Sequence, residues 1–179
     1  GQNLTTGTDS TAIGMQTLSN EDVGNRSTAI GTQALYSQNT ASAVNTNNTG
    51  VGVFAGYYNV TGTSNTYIGQ SAGLGASGQS NSNNTAVGKD ALLAITTGTD
   101  NTAVGIKALE AVTDSQYNVG IGRQAAYKIT TGDKNISIGG GTLAFATTAS
   151  NIIAIGHDAA YTVSAGNTAS DGTIAIGTE

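Results

Sequence analysis

Asn84-Thr85-Ala86-Val87-Gly88-Lys89-Asp90-Ala91-Leu92 returns 17 residues later as Asn101-Thr102-Ala103-Val104-Gly105-Ile106-Lys107-Ala108-Leu109, the mark of a short internal repeat. Its centre, a small residue then Val or Ile then Gly, recurs along the chain with Gly at 14, 31, 52, 69, 88, 105, 122, 139, 156 and 177. Each of these glycines follows a branched side chain: Ile13, Ile30, Val51, Ile68, Val87, Val104, Ile121, Ile138, Ile155 or Ile176. The basic interval is 17 residues, and the longer ones are 19 or 21. A repeat that survives insertions keeps them in loops, as a solenoid does.

Around this centre the unit has further fixed positions. Asn84, Asn101, Asn118 and Asn135 stand four before the Gly, and Thr11, Thr28, Thr49, Thr66, Thr85 and Thr102 stand three before it. A small residue always comes three after the Gly, often followed by Leu, as in Leu18, Leu35, Leu92, Leu109 and Leu143. In the central units an apolar residue comes seven after it (Ile95, Val112, Ile129), just before turns such as Thr96-Thr97-Gly98-Thr99-Asp100. One period therefore reads as a strand, a tight bend, a second short strand or turn, and a polar loop.

The implied fold is all-β: a parallel β-solenoid or β-roll of about ten 17-residue coils, forming one repeat domain over residues 1–179. At roughly 4.8 Å per coil, ten coils make a rod on the order of 50 Å long. Alternation in Thr102-Ala103-Val104 puts Thr and Val on one face and Ala on the other. Because the branched position is apolar in every copy, it is expected to face the core and to carry the Thr ladder inside with it. That placement argues against an ice-binding Thr surface. The Gly that follows answers to a sharp bend or to a close backbone approach. The repeated Asn is expected to cap a turn or to stack in an amide ladder between coils.

Composition narrows the function classes. Gly is 26 of 179 residues, charged residues are 9%, and Pro, Cys and Trp are absent, so the core must be thin and repetitive. A net charge of −5 with scattered basic residues gives no footprint for nucleic acid. No run of about 18 apolar residues is present, so no membrane insertion is expected. A thin core also favours several chains around a common axis, and a homo-oligomer is the expected state.

The two phrases quoted first resemble repeats of phage tail-fibre and related surface proteins, which often precede an endosialidase-type chaperone domain. More distantly, they are similar to the head repeats of trimeric autotransporter adhesins, whose comparable phrases recur at a shorter period. The resemblance covers Thr11 to Gly177. It implies a structural fibre module of a phage or virion appendage that spaces or displays a receptor-binding region, with other fibre or virion proteins as partners. The alternative it leaves is a bacterial cell-surface adhesin whose solenoid binds a host glycan or protein.

No residue pattern here points to catalysis. Gly50-Val51-Gly52-Val53-Phe54-Ala55 and Gly120-Ile121-Gly122-Arg123-Gln124-Ala125 both match the dinucleotide fingerprint, but both fall on the repeat phase with no long helical pattern after them. His157 is the only histidine; with Asp158 it reads as a solvated loop pair. No enzyme activity, cofactor or metal site is expected. Tyr36, Tyr57, Tyr127 and Tyr161 all lie five after the repeat Gly, which suggests a partial ladder along one face. Together with Tyr58 they are the candidate receptor contacts, Tyr57 and Tyr58 foremost.

Overall fold

The computed structural model describes residues 7–161 and 172–178. Each coil contributes one three-residue strand: β1 (Thr11–Ile13), β2 (Thr28–Ile30), β3 (Thr49–Val51), β4 (Thr66–Ile68), β5 (Thr85–Val87), β6 (Thr102–Val104), β7 (Val119–Ile121), β8 (Ile136–Ile138), β9 (Ile153–Ile155) and β10 (Ile174–Ile176). They form a 10-stranded parallel sheet in sequence order, a β-solenoid. Register is kept residue for residue, as in Thr85↔Thr102, Ala86↔Ala103 and Val87↔Val104, and the 19- and 21-residue coils keep it too. Where a second short strand or a turn was expected, the coils have a run of turns.

The facing of the strands is the reverse of the sequence expectation. The middle residue points inward: Ala29, Ala86, Ala103 and Ala154 are wholly buried, whereas Val104 and Ile121 are 37% and 39% exposed on the outer face. The Thr ladder shares that outer face. The physical reason is the thinness of the coil, because the Leu and Ala that follow the bend fill the space behind the sheet. At Gly50 and Gly120, which occupy the inward position, a Cβ would already stand 2.9 Å from Cγ of Leu35 and Leu109. A branched side chain has no room there.

The path after each repeat Gly depends on backbone conformations that L-residues rarely adopt. Gly105 has φ 135°, Lys107 φ 59° and Leu109 φ 50°, and the same positions in other coils repeat these values. The alternation turns successive N–H groups along the rod in opposite directions. Lys107 donates its backbone N–H to the Lys89 carbonyl at 3.0 Å, and Leu109 donates to Ala125 on the other side at 2.9 Å. A left-handed residue costs about 1–2 kcal/mol. Here coil-to-coil hydrogen bonds and the burial of Leu offset that cost. A β-branched residue tolerates this region worst. Leu109→Ile is therefore expected to lower stability by about 1–3 kcal/mol despite its equal volume, and Leu109→Met by less. Denaturant unfolding of the two variants checks this.

A buried asparagine ladder joins the coils on another wall. Asn101 Oδ1 accepts the Asn118 backbone N–H at 3.0 Å and Asn118 Nδ2 at 3.3 Å, while Asn101 Nδ2 donates to the Ser115 carbonyl at 2.9 Å. The chain of amides runs through Asn48, Asn65, Asn84, Asn101, Asn118 and Asn135 and ends where Ile152 donates its N–H to Asn135 Oδ1. This is the amide ladder expected from the spacing.

Two local exchanges adapt the core. Tyr67 replaces the inward Ala of β4 and is wholly buried, its hydroxyl hydrogen-bonded to Asn81. Its ring fits because the usual Leu is replaced by Gly56 and Gly73, where added Cβ atoms would stand 2.7 Å and 2.2 Å from it. In the first coils Glu21 and Gln38 take the places that Ile95, Val112 and Ile129 hold later. Gln38 Nε2 donates to Glu21 Oε2 at 2.8 Å, and Glu21 Oε1 accepts from the Gly24 N–H at 2.8 Å and the Thr40 hydroxyl at 3.1 Å. The buried polar groups thus satisfy one another.

Candidate interaction surfaces

Every third-position strand residue, from Ile13 to Ile176, lies on the outer face of the sheet, stacked in one ladder by the parallel register. Ile13, Ile30, Ile68, Val104, Ile121, Ile155 and Ile176 are exposed. Beside it runs a second ladder, Thr in β1 to β6 and then Val119, Ile136, Ile153 and Ile174. The face is therefore mixed over the first coils and apolar on both ladders over the last four strands. Only isolated apolar side chains are ordinary on a monomer surface; a contiguous stripe marks an interaction site.

The Tyr residues five after the repeat Gly form two separate groups. Tyr36 and Tyr57, on adjacent coils, stack with centroids 4.9 Å apart and planes 5° apart. Phe54 and Tyr58 meet Tyr57 edge-on at 5.6 Å and 4.5 Å, which completes a half-buried aromatic cluster. Burial, then the neighbouring Tyr36 and Tyr58, raises the Tyr57 hydroxyl above its ordinary range, so it stays a neutral hydrogen-bonding group at physiological pH. Tyr127 and Tyr161 lie far along the rod, separated by the coil carrying Ala144, and line a surface cavity there. Phe54, two after its repeat Gly, was missed by a reading confined to Tyr.

The two dinucleotide-like matches lie on the coil path. Gly52 and Gly122 belong to the glycine column, where an added Cβ would meet the carbonyl of Gly69 or Gly139 at 2.5 Å, and turns rather than a helix follow them. His157 Nδ1 is 2.9 Å from Asp158 Oδ2 on the surface. Among the described residues no group of three His, Cys, Asp or Glu side chains is placed to hold a metal ion, and no helix is long and apolar enough to cross a membrane. Compared with protein-family models, curated proteins and solved structures, the chain matches none.

Proposed function

We propose that this chain is a structural module of a homotrimeric fibre, a shaft segment of a phage or virion appendage that holds a receptor-binding region away from the particle. The observation that carries the reading is the unbroken outer ladder of Ile and Val, which a lone solenoid leaves in water. A second copy of the same chain is the fitting occupant, because the stripe repeats with the coil and copies related by symmetry match it coil for coil. Three copies rather than two follow from the resemblance to trimeric fibre and adhesin repeats.

The alternative, a bacterial cell-surface adhesin whose solenoid itself binds a host ligand, draws its support from the Tyr36, Phe54, Tyr57 and Tyr58 cluster. A set of rigid aromatic rings is a sound contact surface for a sugar or a protein. In both readings the oligomer uses the sheet face and the ligand uses the loops.

Native mass in solution, by sedimentation or light scattering, tests the shared part. A particle near three times 17.7 kDa is expected. A stable monomer would sink the fibre reading and leave a flat Thr- and Ile-lined face open to solvent, for which binding to ordered water or ice becomes the next experiment.

A further inference from the structure

The two residues after the repeat Gly carry side chains on every coil but one. Arg123-Gln124 and His157-Asp158 flank a coil in which the pair is Gly140-Gly141. The same coil has Ala144 where its neighbours have Tyr127 and Tyr161. Small residues at three surface positions of one coil, between large ones on both sides, leave a notch of about 520 Å³. That volume lies within the range of small-ligand sites.

Its walls are chemically distinct. Tyr127 and Tyr161 stand on the two flanking coils, and Phe145 closes on Tyr161 edge-on at 5.0 Å. Asp158 engages Nδ1 of His157 at 2.9 Å, which fixes the ring and leaves Nε2 for a ligand. The outer edge of that ring lies over Gly140, where an added Cβ would be 3.5 Å from Cδ2 and 3.8 Å from Nε2. Arg123 lies on the opposite flank, exposed, and among the described residues its guanidinium has no ion pair. The notch therefore offers a cationic fork without an ion pair, aromatic faces and one oriented imidazole edge; Asp158 gives Oδ2 to His157 and holds Oδ1 over Gly141, at the end away from Arg123.

We propose that this notch binds an acidic saccharide, a sugar ring bearing a carboxylate. The carboxylate pairs with the Arg123 fork, the ring lies against Tyr127 and Tyr161, and a hydroxyl meets His157 Nε2. The site consists of this chain's own residues and goes beyond the fibre reading, since binding is measurable in whatever oligomer the chain forms.

The test is calorimetric and saturation-transfer NMR titration of the full chain with glucuronate- and sialate-terminated oligosaccharides and their neutral hexose counterparts. The native mass of every sample is recorded, so that loss of the notch and loss of the oligomer are told apart. Acidic sugars are expected to bind at least tenfold more tightly than neutral ones, and Arg123→Gln is expected to erase that preference. Gly140→Gln is expected to abolish binding by filling the notch. Gly140 does not need a left-handed backbone, and Gln70 already stands at its equivalent, so this variant keeps the fold. Binding of neither class, equal binding of both, or full binding by Gly140→Gln would overturn the proposal.

Discussion

Gly105→Ala is expected to cost about 3–5 kcal/mol and to break the cooperativity of the rod. Two effects add at this position. An alanine has to adopt φ 135°, a region open essentially to Gly alone, and its Cβ would lie 2.5 Å from the Gly122 carbonyl oxygen. Backbone cannot swing aside as a side-chain tip can, so the neighbouring coil has to shift. Gly177→Ala separates the two effects, because Gly177 has the same φ 135° with nothing within 4 Å of its added Cβ. It is expected to cost less than half as much. Coils in a solenoid touch only their neighbours, so a central defect uncouples the two halves. Denaturant unfolding followed by tyrosine fluorescence and circular dichroism should turn from one transition into two for Gly105→Ala. A single unshifted transition would show that the glycine column is not required.

The second large effect is expected at the outer face. Val104→Asp with Ile121→Asp should leave a folded chain and dissolve the proposed trimer. Both side chains already meet solvent in the single solenoid, so their replacement removes little from its core. In the oligomer the same two positions would bring carboxylates together in a space without water. Leaving an unpaired ion buried costs several kcal/mol, and about 4 kcal/mol corresponds to a roughly thousandfold weaker association. Sedimentation should report monomers, with the circular dichroism of the parent retained. A trimer of unchanged mass would move the interface to another wall of the coil.

The repeat length, the all-β class, the glycine positions and the asparagine ladder were legible because each recurs at a fixed offset. Which strand face points inward was not. Alternation separates two faces without saying which is inner, and choosing the larger side chain as core overlooked how little space Leu35 and Leu109 leave behind the sheet. Tyr67 does not stand five after a repeat Gly, yet among the described residues it is the largest wholly buried side chain. Its fit depends on Gly56 and Gly73, eleven residues before it and six after, a partnership that only the coil geometry brings together. The left-handed positions did leave a trace. Among the described residues with positive φ none is Val, Ile or Thr, although these are frequent elsewhere in the chain. The notch was hidden for a similar reason: Gly140-Gly141 reads as more flexible chain until its neighbours two coils apart are set side by side.

The residue-for-residue register from β1 to β10 has an evolutionary consequence. Each coil presents the next with the same backbone edge, so duplicating or deleting a 17-residue unit in the gene changes reach without disturbing the joints that remain. Length then varies in steps of about 4.8 Å. Unequal recombination between repeats in the same phase supplies such variants in single events, so a lineage can tune how far it extends while the ends of the structure, and whatever they carry, stay as they were.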